Sequence, residues 1–156
     1  MQVLVGDAQS EYAEVMRELL RRQAHRVVLA ASIDSCRRFL DRSQTDLVVV
    51  SGSIGEKPLP DLVRELAELQ DAPIMALLDR DNPAELAACF TAGATDCVRK
   101  PFHASEFVAR VEAIARSVHL STGSDDDLDD ETNITISQSD LEDFTFDHLH
   151  EQAVIG

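Results

Sequence analysis

Residues 93–102 read GATDCVRKPF, and in this stretch a short strand candidate runs directly into Lys100 and a proline. Two earlier strand candidates also end at a single polar residue, Asp7 and Ser51. In an open parallel sheet, sites form where the carboxyl ends of the strands meet. The pattern therefore predicts that Asp7, Ser51 and Lys100 converge at one edge of a sheet with Leu78, the last residue of the fourth strand candidate.

Short apolar runs alternate with helical patterns over residues 1–119, which is typical of β-α-β units around a parallel sheet. Ser10 is the expected N-cap of the first helix, Pro60 and Asp61 begin the third, and Asn82 with Pro83 begins the fourth. The strand candidates are residues 2–6, 26–30, 46–50, 74–78 and 96–99, and the last helix covers about 104–119. The sequence predicts an α/β domain with five parallel strands and five helices.

The net charge of -15 is concentrated in the last part of the chain. Residues 1–120 hold 18 acidic and all 14 basic residues, whereas residues 121–156 hold 11 acidic residues and no Lys or Arg. So negative a segment repels phosphate backbones, which disfavours nucleic-acid binding by this part of the chain. Basic residues are densest at the end of the first helix, in the run Arg17, Arg21, Arg22 and Arg26. This run is either a solvated face or a contact for an acidic partner or the acidic tail.

The domain boundary is predicted near residue 119, where the composition changes abruptly. Residues 120–131 read as an acidic linker with six acids in the seven residues 125–131, which cannot pack and should stay solvated. In residues 132–156, Ile134 and Ile136 alternate with polar residues, as Phe144 and Phe146 do later. This tail is either strand-like or disordered, and it acts as a partner-docking segment or opens a further domain.

Cys36, Cys89 and Cys97 show no metal-binding or disulfide spacing, so we expect buried thiols and no metal site. The longest apolar runs of about five residues are far below the roughly 20 needed to cross a bilayer. No signal peptide is evident, and a cytoplasmic protein without membrane association is the expectation.

The motifs of residues 1–119 resemble the receiver domain of bacterial response regulators, and this resemblance implies strand order 2-1-3-4-5. Receivers usually carry two acids after strand one, an acceptor Asp after strand three, a hydroxyl residue after strand four, an aromatic in strand five and a Lys-Pro pair. The matching positions here are Asp7, Ala8, Ser51, Leu78, Cys97 and Lys100. Only the first acid and the lysine remain.

The substitutions predict a degenerate phosphorylation site with no catalytic residue, no metal and no cofactor. Ala8 and Ser51 remove two of three anionic Mg²⁺ ligands, and a serine hydroxyl without an adjacent base is a poor nucleophile. Lys100 either keeps a phosphate or ligand contact or, as we favour, pairs with Asp7 and precedes the cis proline bond that the resemblance implies. Asp79 is an alternative partner or a solvated loop acid, and Ser51 is also a hypothetical target for a Ser/Thr kinase.

Receivers commonly associate through the fourth helix, fifth strand and fifth helix, and the resemblance implies a homodimer through these elements. Asp96 and Arg110 match a cross-subunit ion pair of winged-helix relatives, and Glu106 matches an acidic partner. The basic residue that would pair with Glu106 is replaced by Leu86, and Phe90 adds apolar surface one turn later.

The leading functional hypothesis is a phosphorylation-independent receiver-like domain acting in signal transduction and transcriptional control through dimerisation or partner docking. Residues 132–156 weakly resemble the first strands of a winged-helix domain, so DNA would be bound only by an output domain outside this chain. Two alternatives remain. One is a small-molecule sensor whose pocket is lined by Ala8, Ser51 and Leu78, and the other is a stand-alone protein-interaction adaptor.

Overall fold

Five parallel strands form one sheet in the order β2-β1-β3-β4-β5 in the computed structural model, which describes residues 1–121 and the side chains of residues 1–118. The strands are β1 (Gln2–Gly6), β2 (Arg26–Ala30), β3 (Leu47–Ser51), β4 (Ile74–Leu78) and β5 (Asp96–Arg99). The helices are α1 (Ser10–Arg22), α2 (Ile33–Arg42), α3 (Leu59–Leu69), α4 (Pro83–Ala92) and α5 (Ala104–Ser121), and a short 3-10 helix spans Gly52–Ile54. The predicted fold class and strand order are confirmed.

The sheet is covered on both faces, as its short apolar strands predict. One core lies between the sheet and helices α1 and α5, where Phe102 and Phe107 stack with ring centroids 5.1 Å apart. The other core lies beneath α2, α3 and α4 and includes Leu62 and Leu66. Alternate strand residues enter opposite cores, so both faces contribute to burial of the sheet.

Two local predictions needed correction. Ser10 is the first residue of α1, not its N-cap, and the cap position is held by Gln9 without a side-chain hydrogen bond. The Gln9 side chain instead accepts a hydrogen bond from Lys100. β3 begins at Leu47, one residue later than predicted, and the Asp46 carboxylate accepts from the backbone N–H of Gln2.

The fourth helix begins as predicted. The Asn82 side chain accepts from the backbone N–H of Glu85, and Pro83 occupies the first helical turn. The last helix is also present and continues to Ser121, two residues beyond the predicted end. The remainder of the predicted linker and the whole predicted tail, 132–156, lie outside the described residues. No helix within residues 1–121 is long and apolar enough to span a membrane.

Gly93 ends α4 in a backbone conformation that disfavours every other residue. Its φ is 122°, and a Cβ built there would lie 3.2 Å from the Cβ of Ala67. Glycine at this position lets the chain reverse from α4 into β5 while α4 stays packed on α3.

Replacing Gly93 should therefore destabilise the domain. We expect Gly93→Ala to lower the free energy of unfolding by about 1–2 kcal/mol through left-handed backbone strain, before any cost of the contact with Ala67. Gly52→Ala is the matched control, because a Cβ there meets only an ordinary contact at 3.7 Å. Urea unfolding compares the two variants, and equal midpoints would contradict the strain argument.

Candidate functional site

Three polar residues meet at the carboxyl edge of the sheet. Asp7 follows β1, Ser51 ends β3 and Lys100 follows β5. Their exposed fractions are only 3%, 0% and 4%, and no other polar or charged residue among those described is buried. Three of the four side chains predicted to converge thus meet, inside the protein rather than in an open cleft, whereas the Leu78 side chain is not among the partners of the Lys100 side chain.

The ammonium group of Lys100 lies close to three oxygens of neighbouring side chains. Nζ lies 2.7 Å from Oδ2 of Asp7, and it donates to Oε1 of Gln9 at 2.6 Å and to Oγ of Ser51 at 3.1 Å. It also lies 4.4 Å from the centre of the Tyr12 ring, a cation-π distance. Of the three donors of an ammonium, two are used by Gln9 and Ser51, and the charge as a whole is balanced by Asp7 at ion-pair distance, although Oδ2 of Asp7 accepts no hydrogen bond.

The carboxylate of Asp7 is held from its other side by two donors that the sequence analysis missed. Oδ1 accepts from Oγ of Ser53 and from the backbone N–H of Gln9, both at 2.9 Å. Ser53 also lies 3.1 Å from Oγ of Ser51 and accepts from the backbone N–H of Ala8. The sequence feature that could have indicated Ser53 is the Ser-Gly-Ser spacing, which places a second hydroxyl one short turn beyond Ser51.

This network disfavours both metal binding and nucleophilic chemistry. A hard divalent cation needs several free oxygen ligands, but Asp7 is committed to Lys100, Gln9 and Ser53, and Ala8 offers no side-chain ligand. No group of three or more metal-binding side chains occurs among residues that the structure describes. Oγ of Ser51 contacts a cationic donor and another hydroxyl rather than a base, so nothing here activates it for attack.

Two nearby groups complete the electrostatics of the site. The pKa of the Tyr12 hydroxyl is raised by burial and, less strongly, by the charges of Asp7 and Asp79, which keeps this side chain neutral. Asp79 is exposed and is not among the polar partners of Lys100, which agrees with a solvated loop acid.

The predicted kinase target, Ser51, has no exposed surface, whereas Ser53 is exposed.

Leu78 and Cys97, the other predicted members of the site, lie beside a different space. They line a groove of about 420 Å³ between the β4–α4 connection and the beginning of α5. The groove residues are Leu78, Arg80, Asp81, Asn82, Pro83, Leu86, Cys97, Arg99, Pro101, His103 and Glu106. Ala8 and Ser51 are not among them, so Leu78 does not share this groove with the other two residues predicted to line the pocket.

The predicted association surface combines one charged cluster with exposed apolar side chains. Both carboxylate oxygens of Asp96 accept from Arg110 at 3.0 Å, and Glu106 lies 3.3 Å from the same guanidinium. The Asp96 hydrogen bonds raise the pKa of Arg110 further. These contacts form within one chain, while Leu86 and Phe90 on α4 are 39% and 46% exposed.

The three cysteines are buried free thiols, as predicted. Burial raises the pKa of Cys36 and Cys89 to about 11 and that of Cys97 to about 12. At neutral pH these thiols are protonated, which makes them poor nucleophiles and poor metal ligands.

Comparison with known proteins identifies the family. Residues 3–112 match the model of the response regulator receiver domain, so this chain belongs to that family and to the signalling domains of two-component systems. Curated relatives include the heme response regulator HssR of Staphylococcus saprophyticus, 24% identical over 139 residues, which are 89% of this chain and 61% of that protein. VirG of Agrobacterium fabrum is 32% identical over 115 residues, 73% of this chain and 46% of that protein.

A third curated relative and two solved structures are also similar to this chain. The transcriptional regulatory protein CpxR of Escherichia coli is 29% identical over 119 residues, 76% of this chain and 51% of that protein. This chain therefore spans about half to three-fifths of the length of these curated relatives. A response regulator from Thermotoga maritima is 27% identical with a TM-score of 0.66, covering 72% of this chain and 95% of that one. One from Clostridium difficile shares the fold at 16% identity, with a TM-score of 0.71 and coverage of 74% and 96%.

Removing the Lys100 ammonium should destabilise the protein strongly. Lys100→Met leaves the Asp7 charge buried without its cation, and we expect a loss of about 3–5 kcal/mol in the free energy of unfolding. Lys57→Met removes an exposed ion pair with Glu65 and should cost no more than about 1 kcal/mol. The double variant Asp7→Asn/Lys100→Met should recover part of the loss. Chemical denaturation measures all three, and similar costs for both lysines would refute the buried-pair account.

Proposed function

We propose that this receiver domain signals without being phosphorylated. The observation that carries the proposal is the engagement of Lys100 by Asp7, Gln9 and Ser51, all from the same domain. Phosphoryl transfer to a carboxylate needs a nucleophilic Asp, a bound Mg²⁺ and a lysine that receives the incoming charge. On this proposal, Ser51 stands at the acceptor position, and the internal ion pair replaces the charge balance that a phosphoryl group would require.

The proposed output is association through α4, β5 and α5. Most of the exposed residues on α4 are apolar, and its only ionisable groups are Glu85 and the buried thiol of Cys89. Apolar side chains grouped on an exposed helix favour an interface. We propose a homodimer centred on Leu86 and Phe90, with the charged cluster of Asp96, Glu106 and Arg110 at its border.

A role in transcriptional control is proposed from the relatives. CpxR is named a transcriptional regulatory protein, and the present chain spans about half of it. We propose that DNA would be contacted by an output domain distinct from residues 1–121, because residues 1–120 carry four net negative charges, which disfavours a phosphate backbone. Dimerisation of the receiver would then place two such output domains side by side.

A small-molecule sensor is the second candidate, and the groove lined by Leu78 and Cys97 supports it. Its apolar floor and the charged rim of Arg80, Arg99 and Asp81 suit a ligand with both apolar and charged parts. A stand-alone adaptor would use the same α4 surface for a different protein. If a metabolite panel raises the melting temperature of the full chain but not of Leu78→Arg, the sensor hypothesis gains support.

Phosphorylation independence predicts that phosphoryl mimics do not bind. We expect Mg²⁺ with beryllofluoride to leave the backbone amide signals around Asp7 and Lys100 of the full chain unchanged in ¹⁵N NMR spectra. The double variant Ala8→Asp/Ser51→Asp is the comparison, because it returns two carboxylates to the edge of the sheet and should show Mg²⁺-dependent shifts. Saturable shifts in the unmodified chain would refute the proposal.

The proposed interface predicts a dimer that depends on Phe90. Light scattering of the full chain, without phosphate, should give a dimer mass that falls to a monomer mass in Phe90→Asp. Leu69→Asp is the matched control, since Leu69 is a similarly exposed apolar residue, 50% accessible, at the end of α3. A monomer at all concentrations, or equal dissociation by both variants, would exclude this interface.

A further inference from the structure

The edge of the sheet opposite Lys100 carries a cluster of arginines that the proposed function does not use. Arg21 is in the last turn of α1, Arg26 begins β2, and Arg116 lies on α5. All three are exposed, and among the described residues their side chains have no hydrogen-bond or ion-pair partner. We call these three residues the arginine surface.

One contact establishes that α5 contributes to the arginine surface. His25, in the turn between α1 and β2, lies 2.7 Å from Oε2 of Glu112 on α5 through its Nε2 atom. Arg116 follows Glu112 by four residues, so it occupies the same face of the helix one turn later. That face is directed towards the turn flanked by Arg21 and Arg26.

The local charge balance is positive. Glu18 is paired with Arg22 at 3.9 Å, and Glu112 is occupied by His25. Neither acid neutralises the three exposed guanidinium groups. Most other basic side chains, including Arg37, Arg64 and Arg110, have an acidic partner within the domain.

The chain itself leads an acidic segment to this place. α5 runs towards the same edge and ends at Ser121, about 13 Å beyond Glu112 at 1.5 Å per residue. Val118 still packs against the core shared by α1 and α5, so the helix remains beside α1 near its end. The six acids of residues 125–131 begin only four residues after Ser121.

The available length is sufficient. Four extended residues reach about 13 Å and ten reach about 33 Å, so residues 125–131 can return to the arginine surface without strain. Because the two groups belong to one chain, association is intramolecular and benefits from a high effective concentration. A second copy of the chain would have to compete with that advantage.

We propose that the acidic segment, residues 125–131, docks on the arginine surface of its own domain. The contact is electrostatic, so it weakens as salt rises. While docked, the segment covers Arg21, Arg26 and Arg116. This inference does not depend on the absence of phosphorylation.

A spin label in the acidic segment tests the proposal in the full chain. Leu128→Cys provides the attachment point, because the native thiols are buried and their pKa values of about 11 to 12 slow their labelling. At low salt, the amide signals of residues 23–26 and of Arg116 should lose most of their intensity, while those of α4 remain. In about 1 M salt, where the screening length is about 3 Å, the intensity should return.

Charge variants separate this contact from nonspecific proximity. Arg21→Gln/Arg26→Gln should restore the intensity at low salt, whereas Arg80→Gln, which removes an exposed arginine at the opposite edge, should not. Broadening that is absent from residues 23–26, that persists at high salt, or that is unchanged in the double variant would overturn the proposal. So would broadening that transfers fully to unlabelled molecules mixed with labelled ones, because that result would assign the contact to a second copy.

Discussion

The buried charge of Lys100 is the constraint on which the carboxyl edge of the sheet depends. An ammonium group with 4% exposure is costly unless it is paired and hydrogen-bonded. The loop after β1 supplies Asp7 and Gln9, and β3 supplies Ser51, so one cation joins these two segments to the chain that follows β5. Ser53 then satisfies the second oxygen of Asp7. Because each of these side chains also contacts another one, a ligand that entered this edge of the sheet would have to break several contacts at once.

The fold and the central ion pair could be predicted from the sequence because both follow from patterns of burial. Apolar runs of four or five residues separated by helical spacing predict a parallel sheet, and polar residues directly after such runs must meet at one edge. Ser53 and Gln9 could not be predicted in the same way, because their roles depend on the path of loops rather than on periodicity. The β1–α1 loop turns the Gln9 side chain towards Lys100, and Gln9 rather than Ser10 holds the N-cap position of α1.

The separation of Leu78 and Cys97 from Ser51 and Lys100 has a similar origin. Leu78 and Cys97 are adjacent to Ser51 and Lys100 in strand register, since Ser51 pairs with Leu77 and Leu78 pairs with Arg99. Successive strand residues point to opposite faces of a sheet, however, so neighbours in register need not share a space. Motif spacing identified the right strand ends but not the side on which each side chain lies. The groove beside Cys97 consequently belongs with α4 and α5, next to the exposed Leu86.

The two surfaces proposed for interaction differ in physical character, so different solution conditions would control the two contacts. Association through Leu86 and Phe90 would be driven by burial of apolar area and would depend mainly on protein concentration. Contact between residues 125–131 and the arginine surface would depend on ionic strength. On the proposed function, no charge is added at the carboxyl edge, where Lys100 is already paired with Asp7. On the proposed function, the state of this domain is therefore set by which partners are present and by the ionic conditions, while the edge that a phosphoryl group would occupy acts as a fixed structural support.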